Sequence, residues 1–264
     1  MRLNILASLI LFLSTMSASY AGDGDRMALS LSPYLRGGMM GIKDTSYSPL
    51  AYNGPHARIG FSISAQSAKA DLFVDASGSF GWLGNRYHRD PSSMHDRQME
   101  MSVGGLVGIF GNSIVSVKAG GAVGFMRNDQ FIRLPMPNDI LYDRFHYTFA
   151  FDAKTCVSVA WKLSQKWSLR LEDRLPVAAF ISPSNRFFDS RPDSPLDYTF
   201  KALPGNDLKL GICRTLSGGK GLMLSIRHFC YSSGQALPHR FQLQFLELDI
   251  AFRFGLTKHP SYEL

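Results

Sequence analysis

His228, Cys230 and Ser232 fall at alternate positions of one short run, so on an extended chain all three point to the same side. A base beside a thiol or hydroxyl is the minimum for nucleophilic attack on an ester, provided a third group orients the base. A second collection, His88, Asp90, His95 and Asp96, holds the residue types that activate water by taking its proton. His56, His88, His95 and His239 are the histidines that could surround zinc, but they are scattered without ligand spacing, and no metal or other cofactor is expected. Arg186, Phe187, Phe188 and Arg191, followed by Tyr198, Phe200 and Lys201, mix guanidinium groups with aromatic rings in a long irregular stretch. That is the composition of a docking surface, here for a saccharide or another surface ligand.

The chain that must position these groups reads as strand almost throughout. Every second residue from Phe145 is Phe145, Tyr147, Phe149, Phe151, Ala153, Thr155, Val157, Val159 and Trp161. Those between are His146, Thr148, Ala150, Asp152, Lys154, Cys156, Ser158 and Ala160. A sustained period of two gives a strand one apolar and one polar face. Aromatics near both ends of the apolar face suit a strand that crosses a bilayer with that face in lipid. The alternation recurs over Leu29 to Leu35, Ala57 to Ala65, Ala70 to Trp82, Met99 to Ile109, Val115 to Phe125, Trp167 to Leu171, Leu208 to Ile212, Leu222 to Ile226 and Leu246 to Phe254.

Ten strands follow, with eight or twelve as alternatives, joined by tight turns alternating with long connections over 43–55, 83–96, 127–143, 176–206 and 232–240. The fold class is all-β, a transmembrane antiparallel up-and-down barrel. It must close, because open sheet edges leave backbone groups unsatisfied in hydrocarbon. Two places resist the pattern. Pro33 removes a ladder donor, and Phe241, Leu243 and Phe245 run out of phase with Leu246 to Phe254, predicting a bulge or a loop end.

Residues 1–21 read as a secretory signal peptide: Arg2, an apolar run from Ile5 to Leu13, then small residues ending at Ala21. The barrel is expected over 22–254, with 255–264 as a tail. The formal charge of +7 becomes +6 without the leader, which suits anionic lipid headgroups. An exported chain with no basic run is not expected to bind nucleic acid. Cys156, Cys213 and Cys230 are placed too far apart to bridge and are expected as free thiols.

The polar faces carry Arg36, Arg58, Lys118, Lys154, Arg170, Arg174, Lys209, Arg227 and Arg253 against Asp71, Asp75, Glu100, Asp152, Glu172, Asp207, Glu247 and Asp249. Nine bases facing eight acids inside a narrow barrel predict a lumen filled by paired side chains.

From residue 27 to 254 the alternation and hairpin spacing resemble the small outer-membrane barrels of Gram-negative bacteria, the OmpA/OmpX-like barrels and the ten-stranded omptin and OpcA-type group. The resemblance implies the outer membrane as location. It also implies contact with membrane lipid and lipopolysaccharide, and insertion by the barrel-assembly machinery through a last strand ending in an aromatic residue, here Phe254.

His228 with its two neighbours is similar to the lipid A deacylases, whose His and Ser stand two apart near the outer rim. In this chain Cys230 stands at the serine position, the next strand offers Gln242 and Gln244, and Glu247 faces inward. The loop set with His88, Asp90, His95 and Asp96 is similar in residue type to omptin proteases. The resulting expectation is a structural or surface-interaction role without catalysis. A lipid A or phospholipid hydrolase is the alternative, and a narrow solute channel the third reading.

Overall fold

In a computed structural model the described residues are 27–44, 51–67, 69–85, 93–134, 142–183, 199–201, 205–232 and 241–256. The signal-peptide segment, 257–264 of the tail, and His88, Asp90, Arg186, Phe187, Phe188, Arg191 and His239 lie outside them. The strands are β1 (Ala28–Asp44), β2 (Ala51–Gln66), β3 (Ala70–Gly84), β4 (Ser93–Gly111), β5 (Val115–Leu134), β6 (Tyr142–Lys162), β7 (Trp167–Pro183), β8 (Thr199–Lys201), β9 (Gly205–Thr215), β10 (Gly221–Ser232) and β11 (Phe241–Gly255).

All pairings are antiparallel, β11 returns to β1 and β6 meets β7, so the sheet closes on itself. Ten strands make the wall. The three-residue β8 adds only to Ala179–Ile181 of β7, beyond Arg174 where pairing with β9 stops. Tight turns close one end of the barrel, as at Gly218 and Gly219, whose φ of 71° and 73° suits residues without a Cβ. The opposite end carries the long connections.

Outward-facing Leu248 and Ile250 on β11, Val107 and Ile109 on β4, and Leu224 and Ile226 on β10 are all about half exposed or more. Apolar surface of that extent, encircling the barrel, is what a strand wall facing hydrocarbon presents. All seventeen charged residues assigned to the polar face point into the lumen, where they pair or line its cavity.

The strands are longer than the apolar alternation marked. β4 begins at Ser93, β5 runs to Leu134, and β6 begins at Tyr142, giving strands of 19, 20 and 21 residues. About ten tilted residues suffice to cross a bilayer, so these strands continue beyond it, and parts of the stretches read as loops are wall. Above the membrane the amphipathicity inverts. Outward positions become Asn53, His95, Arg97 and Gln244, while inward positions become Met40, Ile42, Tyr52, Leu83, Met94, Phe229, Tyr231, Leu243 and Phe245.

That inversion corrects the bulge expected at Phe241 to Phe245. β11 pairs without interruption on both sides there, and Leu243 and Phe245, each 1% exposed, are the inward core of the part surrounded by water. The ladder is irregular elsewhere. Between β1 and β11 the pairs at Ser32 and Pro33 are missing with the register unchanged on either side, as the missing proline donor requires. Val177 is an extra residue opposite Ala153 and Lys154, directly after Pro176.

Candidate functional site

The lumen has three storeys. Nearest the tight turns the inward residues are Ser32, Ser62, Ser64, Ser116, Ser158 and Ser168, among others, and they leave a cavity of about 830 Å³ that reaches the rim at Ser67, Thr215 and Lys220. Here the structure corrects the expectation of a wholly filled interior, because hydroxymethyl groups are too short to meet across a ten-stranded barrel. Paired charges line this space without filling it: Lys118 with Asp71, Arg170 with Glu172, and Arg174 with Asp75, each at 2.7 Å. Arg253 is the exception, with no ion-pair partner among the described residues.

Above the cavity, charge crosses the lumen. Arg58 on β2 donates from Nε to Glu247 Oε1 at 2.9 Å and from Nη2 to Gln98 Oε1 at 2.9 Å, and its Nη1 lies 2.8 Å from Glu100 Oε2. Arg227 on β10 forks onto both oxygens of Asp207, at 2.6 and 2.8 Å, and reaches Glu247 Oε2 at 3.3 Å. His56 Nε2 sits 2.8 Å from the first oxygen of Glu247, and Arg36 links Glu247 to Asp249. Arg36 also lies 4.0 Å over the Tyr34 ring. That ring covers Gly60, where a Cβ would lie only 2.5 Å from it. Glu247, 0% exposed, is therefore the anion shared by three guanidinium groups and an imidazole.

The third storey rests on the second. Phe245 stacks on Phe229 with centroids 4.5 Å apart, and the Phe245 centroid lies 4.9 Å from the guanidinium carbon of Arg58 and 5.0 Å from that of Arg227 beneath it. Cation–π contact of this kind holds a charge against an apolar lid. Met40, Ile42, Tyr52, Leu83, Met94, Tyr231 and Leu243 complete the lid. The arrangement narrows the barrel at mid-height and above, although the cavity continues beside it past Arg227 to Met126, Phe229 and Tyr231.

The sequence-based candidates do not converge. His228 and Cys230 lie on the outward face of β10, opposite Leu246 and Gln244 on one side and Leu208 and Asn206 on the other; Ser232 is opposite Gln242. His228 makes no hydrogen bond or ion pair among the described residues. The nearest outward acid in its row, Asp173, is a full strand further away, beyond Leu208. A base without an orienting group cannot serve the nucleophile as an ester-cleaving set requires.

His95 and Asp96 are adjacent in sequence and so point to opposite faces, His95 exposed and Asp96 1% exposed inside. On the inner face Asp96 shares only the Gly81 position with His56, and both are sealed beneath the lid. The three cysteines are free thiols, with Cys230 opposite Asn206 and Cys213 opposite Met223. No group of His, Cys, Asp or Glu among the described residues could hold a metal. One arrangement has no counterpart in the sequence reading: outward Arg97 lies between the rings of Phe80 and Phe131.

No family model matches the sequence, and no characterised protein matches it either. Among solved structures, the outer-membrane protease OmpT from Escherichia coli superposes with a TM-score of 0.56 at 5% identity, over 88% of this chain and 97% of that one. The β domain of the Bordetella autotransporter BrkA gives 0.42 at 9% identity, over 86% and 99%. Ail, the attachment invasion locus protein of Yersinia pestis, gives 0.34 at 10%, over 86% and 99%. The first likeness establishes the fold, a ten-stranded barrel of the outer-membrane type, and at 5% identity it says nothing of protease chemistry.

Proposed function

We propose that this chain is an integral outer-membrane barrel that conducts no solute, carries out no catalysis and serves a structural or surface-interaction role. The long connections would face outward and the tight turns the periplasm, the arrangement usual for such barrels. The observation that carries the reading is the constriction formed by the network around Glu247 and the stacked Phe229 and Phe245 above it. Its partners on this reading are outer-membrane lipid and lipopolysaccharide, the assembly machinery during insertion, and a saccharide or surface ligand at the loop bearing Arg186, Phe187, Phe188 and Arg191.

Purified protein reconstituted in planar bilayers is expected to give no unitary current steps. Steady conductance at moderate voltage would replace the reading by that of a narrow channel. The hydrolase alternative is tested separately. His228→Ala is expected to leave the acylation pattern of extracted lipid unchanged, because among the described residues no acid or amide orients that imidazole. A lost acyl-cleavage product in the variant would instead establish the enzyme.

A further inference from the structure

We propose that the outer wall carries a headgroup site for the phosphorylated lipid of the outer leaflet, lipopolysaccharide, centred on Arg97. The site deepens the outer-membrane reading and takes its orientation from it. Arg97 stands on β4 with Met99, Met101 and Val103 below it on the same face, at 58%, 45% and 45% exposure. Its guanidinium therefore lies where the apolar band ends, at headgroup level. Phe80 on β3 and Phe131 on β5 flank it, with ring centroids 5.7 and 5.4 Å from the guanidinium carbon.

A shallow depression of about 340 Å³ is lined here by Phe80, Gly81, Trp82, His95, Arg97 and Phe131, and by Asp96, whose side chain turns inward. Cation–π contact orients a guanidinium without using its N–H donors. Those donors have no carboxylate among the described residues. Asp129, the cross-strand neighbour, turns instead to Arg127 Nε at 2.7 Å. A planar fork of donors with no partner among the described residues, held upright by two rings at the edge of hydrocarbon, matches the oxygens of a phosphate ester. The chains of the same molecule would lie along Met99, Met101 and Val103. Trp82, level with His95 one step above Arg97, is an interfacial anchor of the usual kind.

The full-length protein in lipid nanodiscs would be incubated with bisphosphorylated lipid A and with the same lipid stripped of its phosphates, and bound lipid read by native mass spectrometry. Wild type is expected to retain the phosphorylated form, and Arg97→Ala to retain roughly tenfold less, as the loss of one charge-assisted contact implies. Arg214→Ala, which removes a guanidinium 5.3 Å over Trp167 at the opposite rim, should leave retention unchanged. An unaltered heat-dependent gel shift would show that Arg97→Ala is folded.

Equal retention by wild type and Arg97→Ala, or equal retention of the two lipids by wild type, would overturn the site. The second result would point to sugar or acyl-chain recognition instead. Failure of wild type to enter nanodiscs at all would be a different result, overturning the membrane reading itself.

Discussion

Replacing Glu247 with Ala is expected to cost the folded barrel about 3–5 kcal/mol, the loss usual when one partner of a buried ionic group is removed. The side chain is 0% exposed, so solvent screening does not reduce its interactions. Its first oxygen receives His56 Nε2 and Arg58 Nε at 2.8 and 2.9 Å, and its second lies 3.3 Å from Arg227 and 3.9 Å from Arg36. Truncation leaves Arg58 with Glu100, Arg227 with Asp207 and Arg36 with Asp249, so no cation is wholly orphaned. The net positive charge at the centre nevertheless rises by one, under an aromatic lid that cannot hydrate it. The measurement is a urea titration in detergent or liposomes, followed by the gel shift between folded and unfolded forms. Arg253→Ala, which removes a lumenal cation with no ion-pair partner among the described residues, is expected to change stability by about 1 kcal/mol or less. A Glu247→Ala midpoint equal to that of wild type would show that the lumenal network adds nothing to the constriction.

The membrane-facing half of this molecule was legible because lipid imposes a simple rule. Where Leu246, Leu248, Ile250, Phe252 and Phe254 face hydrocarbon, Glu247, Asp249 and Arg253 must face the lumen, and a period of two reveals both sets at once. The same rule hid the water-surrounded half. Above the bilayer Gln242 and Gln244 face out and Leu243 and Phe245 face in, and a rule written for lipid reads that inversion as an irregularity. Strand ends were misplaced for the same reason, since His95, Arg97 and Arg127 look like loop residues once the apolar outward series stops. Arg97 would have been found by carrying the phase of Met99 and Met101 upward by one step. The hollow lower lumen was readable in principle from side-chain volume, because charge balance was weighed there without the serines between the charges. The constriction as geometry was not readable. Nothing in a linear order says that Phe229 and Phe245 stack, or that Glu247 is shared by Arg36 on β1, His56 and Arg58 on β2, and Arg227 on β10.

Asp96 should make this barrel less stable as pH rises. The membrane-facing stretch of β4 begins at Met99, so Asp96 lies above it, pointing inward and 1% exposed. Neither carboxylate oxygen makes a hydrogen bond of good geometry. Burial pushes its pKa up to about 8; Arg58 and the nearby Asn128 amide pull against that shift and Asp129 adds to it. An unfolded aspartate loses its proton near pH ~3.9. Between roughly pH 4 and 8 the folded chain therefore holds a proton that the unfolded chain has released. The contribution of this group is fully present below that window and falls progressively to its end. Asp96→Asn keeps the shape and stays neutral at every pH. Its unfolding midpoint should accordingly fall less than that of wild type between pH 5 and 9, and should lie above it at pH 9. Parallel profiles for the two proteins would mean that the carboxylate is hydrated or paired in solution, and that the upper core is wetter than its burial implies.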